Sequence, residues 1–123
     1  MTTILETIFD QKRQRVREAK EKVNYADLVD QARNARSSAE SHRLRGALSN
    51  LGKLNIIAEF KKASPSKGVI NENCDVTSIA NAYENGGACA MSVLTEEDHF
   101  SGSLEDLRKA RSSVSLPAWL AWR

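Results

Sequence analysis

The sequence predicts an α/β fold in which parallel strands alternate with helices, preceded by a segment that is entirely helical. Two short apolar runs, residues 54–57 and 88–94, are typical of strands, and the second is continuous enough to be buried on both faces. An amphipathic stretch at residues 75–85 lies between them. A strand, a helix and a second strand in that order indicate a parallel sheet with right-handed crossovers.

The N-terminal part of the chain carries helix signals only. Residues 3–23 hold a broken apolar stripe and begin with a capping box, in which Thr3 is the N-cap. A second helix is expected at residues 25–36 and a short one at residues 44–48. We therefore assign residues 1–50 to an N-terminal helical extension.

The remaining chain alternates between strand and helix. Asp75 can cap the first of these helices, Gly86-Gly87 can end it, and residues 95–102 are polar and predict a loop. Residues 103–106 resemble another capping box, with Ser103 as the N-cap of the second helix. No G-x-G-x-x-G motif follows the first strand, which argues against a dinucleotide fold but leaves a doubly wound sheet or the start of a barrel. The expected elements are strands at residues 55–61, 88–94 and 115–122 and helices at residues 75–85 and 103–111.

Composition excludes several classes of function. The 123 residues have room for one modest domain, with 41% hydrophobic and 28% charged residues, as is typical of soluble globular protein. A net charge of +2 is too small to indicate nucleic acid as a partner, and no apolar run could span a membrane. The N-terminus lacks the features of a signal peptide. Cys74 and Cys89 have no metal-binding spacing, so we expect free thiols in the cytoplasm.

The most informative stretch is residues 58–68, where a strand ends in charged residues and a polar loop follows. Because side chains alternate between the two faces of a strand, Glu59 and Lys61 are expected to share one face. An acid and a base at the carboxyl end of a parallel strand are placed as catalytic groups are in β/α enzymes. A strand with one face in water gives the same alternation, and periodicity alone does not separate the two interpretations.

The loop at residues 64–68, Ser-Pro-Ser-Lys-Gly, favours the catalytic interpretation. It offers hydroxyls, a cation and a flexible backbone, which suit an anion such as phosphate. The G-x-x-x-x-G-K spacing of a Walker loop is absent, so the loop taken alone is a weak phosphate signal.

Two longer motifs resemble the indole-3-glycerol phosphate synthase family. Residues 56–68, Ile-Ile-Ala-Glu-Phe-Lys-Lys-Ala-Ser-Pro-Ser-Lys-Gly, are similar to the first strand and loop of that family. Residues 92–103, Ser-Val-Leu-Thr-Glu-Glu-Asp-His-Phe-Ser-Gly-Ser, are similar to its second strand and the loop after it, and the resemblance covers at least residues 54–117. It implies a (β/α)8 TIM barrel with extra N-terminal helices, of which residues 51–123 form a part with about three parallel strands.

The resemblance also implies an activity and a set of site residues. The family closes the ring of 1-(2-carboxyphenylamino)-1-deoxyribulose 5-phosphate, with loss of carbon dioxide and water, in tryptophan biosynthesis. No metal or organic cofactor is implied, and the partner is this phosphorylated small molecule. By this resemblance Glu59 and Lys61 are catalytic: Lys61 is a cation near the substrate carboxylate or phosphate and a proton donor, and Glu59 orients it and takes part in proton handling. Ser64 contacts the phosphate, and Phe100 forms an apolar wall for the aromatic ring.

Two departures from the family pattern concern the end of the sequence. An eightfold barrel needs about 250 residues, whereas this sequence holds three strands at most. After Pro117 similarity is expected to stop, and Ala121 stands where the family's third strand carries its principal general acid, a lysine. We therefore expect a truncated or frame-shifted form with little or no turnover. The alternative is a non-catalytic half-barrel that self-associates through its open sheet edges or complements a missing half.

Overall fold

Residues 3–71 and 73–121 are described by a computed structural model, in which the chain divides into two units between Ser41 and His42. The predicted end of the helical extension at residue 50 falls after the third helix, whereas the units divide before it. The third helix therefore belongs to the same unit as the strands.

The first unit consists of two capped helices, α1 (Ile4–Lys22) and α2 (Tyr25–Ser37). The predicted capping box is confirmed: the Thr3 hydroxyl accepts a hydrogen bond from the Glu6 N–H at 3.2 Å, and the Thr3 N–H donates to the Glu6 carboxylate at 2.7 Å. This main-chain hydrogen bond is the chief cause of the lowered pKa of Glu6. The Asn24 side chain begins α2 by accepting a main-chain N–H at 2.8 Å.

The second unit contains a parallel sheet whose crossovers are helices, as predicted. Strands β1, β4 and β5 form a three-stranded sheet in the order β1-β4-β5, and both pairings are parallel. A separate two-stranded antiparallel hairpin is made by β2 and β3. In chain order the elements are α3 (Arg43–Ala47), β1 (Ile57–Phe60), β2 (Ala63–Ser64), β3 (Gly68–Val69), α4 (Val76–Asn85), β4 (Ala90–Leu94), α5 (Glu97–Phe100), α6 (Leu104–Ser113) and β5 (Ala118–Ala121).

The core of this unit lies on one face of the sheet, where α4 and α6 pack. Met91 and Val93 point to that face from the central strand and are fully buried, which stabilises the fold by about 1.5–3 kcal/mol for each side chain. Phe60 reaches the same core from β1 and is 3% exposed. The buried cluster consists of Phe60, Val76, Ala80, Met91, Val93, Ala110 and Leu116.

The helix caps predicted from the sequence hold both crossover helices in place. Asp75 accepts hydrogen bonds from the main-chain N–H groups of Thr77 and Ser78, and the Ser78 hydroxyl is the chief cause of the lowered pKa of Asp75. At α6 the Ser103 hydroxyl accepts from the Asp106 N–H at 3.0 Å, which confirms the expected cap.

Two short elements inside the expected loops were not predicted. Residues 97–100 form the single helical turn α5, which begins where the Glu96 carboxylate accepts the His99 N–H at 2.7 Å. After β1 the chain forms the hairpin of β2 and β3, in which Ser64 pairs with Gly68 at a φ of 64°. Elements of two to four residues are too short to show a hydrophobic period, so the sequence pattern gives no signal for them.

The loop after β4 folds back onto the end of its own strand at Gly102. The Gly102 N–H donates to the Glu96 carbonyl at 2.9 Å. A Cβ atom at this position would lie 2.0 Å from the carbonyl oxygen of Leu94 and 2.8 Å from its carbonyl carbon. Both atoms belong to the backbone of a buried strand, which cannot move aside cheaply. Only glycine fits this close approach.

We expect Gly102→Ala to lower the free energy of unfolding by about 1–3 kcal/mol, because the added methyl group forces the loop away from β4. Urea unfolding followed by circular dichroism measures the change. Gly46→Ala is the matched control, since a Cβ at Gly46 in α3 would meet nothing within 4 Å. It should leave stability unchanged or raise it by up to about 1 kcal/mol. Equal effects of the two substitutions would contradict the packing described for Gly102.

Candidate active site

The structure brings Glu59 and Lys61 together on the face of β1 that the core does not use. The Lys61 Nζ lies 3.3 Å from the Glu59 Oε1, and Phe60 between them points into the core. The two charged side chains are 43% and 45% exposed. An ion pair this open to water contributes at most about 1 kcal/mol to stability, so the stability of the fold does not explain its position.

Register places the polar residue Ser92 of β4 beside Glu59. The two residues are Cα partners in the parallel ladder, and Ser92 is in turn the partner of Trp119 in β5. Ser92 is 6% exposed and alternates along β4 with the core residues Met91 and Val93. It therefore belongs to the same face as Glu59. Ser92 was not among the predicted site residues, because it is a single polar residue in the near-continuous apolar run of residues 88–94.

Lys62 points to the opposite side of the chain from Lys61 and joins the end of β1 to α6. Its Nζ contacts the two carboxylate oxygens of Asp106 at 2.9 and 2.8 Å, and the side chains are 20% and 10% exposed. The Asp106 carboxylate also accepts the Ser103 hydroxyl at 2.9 Å. The two adjacent lysines therefore have different environments: Lys61 faces water beside Glu59, and Lys62 is held in a largely buried ion pair.

Ser64 and Phe100 lie on the two loops that meet at the carboxyl edge of the sheet. Both residues are half-buried, and α5, which ends at Phe100, packs against β2, which contains Ser64. The Ser64 hydroxyl accepts the Lys67 N–H at 3.3 Å. The Lys62 carbonyl closes the base of the hairpin by accepting main-chain N–H groups from Ile70 and Asn71 at 2.8 and 3.1 Å.

The position expected for the family lysine lies at the end of β5. Ala121 is the Cα partner of Leu94, and continuing the register of β1 by one residue past Phe60 places Lys61 at the same level. The described chain ends at this residue, so Trp122 and Arg123 lie outside it.

An open cleft of about 380 Å³ lies near the amino ends of the strands, away from these residues. Its lining includes Lys53, Glu84 and Ser115, and none of the four predicted site residues. The Glu84 carboxylate accepts the Ser115 hydroxyl at 2.6 Å and the Ser115 N–H at 2.8 Å, and the hydroxyl is the chief cause of the lowered pKa of Glu84. These bonds attach α4 to the segment before β5. This cleft therefore lies apart from the candidate site at the carboxyl edge of the sheet.

The described residues offer neither a metal-binding cluster nor a helix that could span a membrane. No group of three or more His, Cys, Asp or Glu side chains in residues 3–71 and 73–121 could hold a metal ion. No helix in the same part of the chain is long and apolar enough to cross a membrane.

Parallel strands with helices packed on one face, and charged side chains at the carboxyl end of β1 on the other, are typical of the first part of a β/α barrel. The family model described as Indole-3-glycerol phosphate synthase matches residues 5–120, and the chain belongs to this family. This confirms both the family resemblance and the predicted fold class, the N-terminal portion of a (β/α)8 barrel with extra N-terminal helices. The similarity extends to residue 120, so the expectation that it stops after Pro117 was wrong by three residues.

Individual relatives carry the same family name. The chain is 46% identical over 116 residues to the indole-3-glycerol phosphate synthase of Carboxydothermus hydrogenoformans, covering 92% of this chain and 44% of the relative. It is 47% identical over 120 residues to that of Neisseria meningitidis serogroup B, covering 95% of this chain and 45% of the relative. It is 43% identical over 115 residues to that of Rhodopirellula baltica, covering 94% of this chain and 43% of the relative. The chain thus spans less than half the length of these relatives.

Proposed function

We propose that this chain carries the Glu59–Lys61 part of an indole-3-glycerol-phosphate synthase active site. The reaction is the ring closure of 1-(2-carboxyphenylamino)-1-deoxyribulose 5-phosphate with loss of carbon dioxide and water, a step of tryptophan biosynthesis. The observation that supports this proposal best is the 3.3 Å pair of Lys61 and Glu59 at the carboxyl end of β1, in a chain whose residues 5–120 match the family. Since Cys74 and Cys89 are free thiols, the compartment we propose is the cytoplasm.

The chemistry assigns different roles to the two charged groups. Ring closure develops charge on a carbonyl oxygen, and dehydration removes a hydroxyl group, so both steps need a positioned proton donor. Lys61 supplies a cation and a proton for a substrate that bears a carboxylate and a phosphate. Glu59, 3.3 Å away, holds the Lys61 ammonium in place and takes part in proton handling.

The two loops supply the remaining contacts of the proposed site. Ser64 presents a hydroxyl and the flanking main chain to the substrate phosphate. Phe100 provides an apolar surface for the aromatic ring. The packing of α5 against β2 supports this division of roles, because it holds the phosphate-binding loop beside the ring-binding loop. No cofactor takes part in this proposal.

Exposure of the pair limits what these residues can do by themselves. Glu59 and Lys61 are nearly half exposed in the three-stranded sheet, and water weakens the electrostatic interactions on which a general acid depends. Ala121 at the expected lysine position also supplies no second proton donor. We therefore propose that turnover by these 123 residues alone is little or none, and that activity needs further barrel strands.

The test is complementation of a tryptophan-requiring host by this chain, with and without the remaining part of a relative supplied as a second polypeptide. We expect growth only with both parts, provided that the second part begins with the relative's own third strand and so brings the lysine that Ala121 replaces. Lys61→Met should then lower indole-glycerol phosphate formation by about 100-fold or more, and Glu59→Gln by about 10-fold or more. Lys109→Met, at an exposed position of α6, is the control and should have no effect. Turnover by the chain alone, or an unaffected Lys61→Met, would contradict the proposal.

A second candidate function is self-association through the open side of β1. Leu54 is 82% exposed, and Ile56 and Ile57 are 49% and 47% exposed. Among the described strands β1 has one neighbour, β4, so no described strand pairs with its other edge, which lies next to these apolar side chains. Such an edge can pair with a further strand, from a second copy or from a complementary part of the barrel.

Light scattering over a range of protein concentrations tests self-association. We expect a mass above that of a monomer, and a shift toward the monomer when Ile56→Lys adds a charge at the edge. Leu28→Lys is the control, because Leu28 is similarly exposed, at 50%, in the first unit. A monomer at all concentrations would remove this candidate.

A further inference from the structure

The Tyr83 side chain reaches from α4 to β1, the strand that carries Glu59. Its hydroxyl donates a hydrogen bond of 3.0 Å to the main-chain carbonyl of Glu59. Tyr83 is the third residue from the end of α4, and its half-buried ring packs against the core cluster. Because side chains on a helix lean toward its N-terminus, a tyrosine near the end of α4 can reach the carboxyl half of the strand before it.

The bond satisfies a carbonyl that the sheet leaves open. The Ile56 carbonyl points toward β4, where it accepts the Cys89 N–H at 2.8 Å. Successive carbonyls of an extended strand point to alternate sides, so the carbonyl of Glu59, three residues later, points away from β4. Among the described strands β1 has no neighbour on that side. The Tyr83 hydroxyl therefore holds the edge strand at the residue that carries the carboxylate.

We propose that Tyr83 is a positioning residue for Glu59 and Lys61. Strand β1 ends at Phe60, so Lys61 is already outside the ladder. The two charged side chains share a face only while the backbone from Glu59 to Lys61 stays extended. A hydrogen bond to the Glu59 carbonyl restrains the peptide group between Glu59 and Phe60. Rotation of this peptide group would turn the side chains of Glu59 and Lys61 away from each other. The catalytic importance of this bond rests on the proposed function, whereas its effect on the geometry of the pair does not.

The main chain of Tyr83 is hydrogen-bonded to the turn that leads into the neighbouring strand, β4. Its carbonyl accepts the Ala88 N–H at 3.0 Å, which closes the turn from α4 into β4 around Gly87, a glycine with a φ of 87°. Tyr83 is thus hydrogen-bonded both to Glu59 in β1 and to Ala88 in the turn that leads into β4. Because the bond to Ala88 does not depend on the side chain, Tyr83→Phe keeps it and removes only the hydrogen bond to the Glu59 carbonyl.

A zero-length carbodiimide crosslink measures the geometry of the pair without substrate. The reagent activates the Glu59 carboxylate, and the Lys61 amine displaces the urea by-product to form an amide bond between the two side chains. At 3.3 Å the two groups are close enough to react. Peptide mass spectrometry quantifies the product. Tyr83→Phe removes the hydroxyl and keeps the ring, and Tyr25→Phe is the matched control at a tyrosine that is 79% exposed.

We expect Tyr83→Phe to lower the yield of the Glu59–Lys61 crosslink by between about twofold and tenfold, the range that one lost hydrogen bond allows. Tyr25→Phe should match the wild type. An unchanged yield in folded Tyr83→Phe would overturn the proposal. If Tyr83→Phe does not fold, carbonyl ¹³C spectra of the wild type decide: an isotope shift of the Glu59 carbonyl on exchange of the tyrosine hydroxyl into D₂O supports the bond, and its absence overturns it.

A second measurement separates this inference from the proposed function. Binding of 1-(2-carboxyphenylamino)-1-deoxyribulose 5-phosphate is compared between wild type and Tyr83→Phe in the complemented protein. Weaker binding or slower turnover together with a lower crosslink yield supports both proposals. A lower crosslink yield with no binding in either protein would refute the proposed function and leave the positioning role of Tyr83 intact.

Discussion

The anchoring of Phe60 in the core is the constraint on which the candidate site depends. Burying this ring between the sheet and its helices stabilises the fold by about 1.5–3 kcal/mol, whereas the exposed pair of Glu59 and Lys61 contributes at most about 1 kcal/mol. A shift of one residue in the pairing of β1 would expose the ring and turn both charges into the core. The apolar core, and not the ion pair itself, therefore decides which way the charged groups point.

The other contacts at the carboxyl edge follow the same division between a packed side and an open side. Lys62 and Asp106 form their ion pair where the end of β1 meets α6, and Gly102 lets the loop after β4 lie directly on its strand. The Tyr83 hydroxyl reaches β1 from the helical layer. These contacts hold the strand ends in place, while Glu59 and Lys61 project from the face of β1 that the core does not use.

Sequence patterns predicted the elements whose signal is local. The capping residues Thr3, Asp75 and Ser103 each begin a helix as expected, because a cap and its partner lie within a few residues of each other. The alternation of Glu59, Phe60 and Lys61 was likewise visible in the sequence. The role given to Phe100 came from the resemblance to a family, because no local pattern assigns a function to a phenylalanine. For Ser64 the resemblance added to the weak phosphate signal of the polar loop at residues 64–68.

The features that were missed depend on long-range contacts or on very short elements. Lys62 and Asp106 are 44 residues apart, and Tyr83 and Glu59 are 24 apart, so nothing in either neighbourhood identifies the partner. The β1 strand covers Ile57–Phe60 where residues 55–61 were expected, because its ends are set by pairing with β4 and not by its own composition.

The direction of the side chains along β1 is tested most directly by the rate at which a maleimide labels single cysteines, introduced into a background of Cys74→Ser and Cys89→Ser. We expect fast labelling of Ile57→Cys and Glu59→Cys, which are exposed, and slower labelling of Ala58→Cys between them, which is half-buried. Equal rates at positions 58 and 59, or faster labelling at 58, would contradict it, because the carboxylate and the ammonium would then not share an open face.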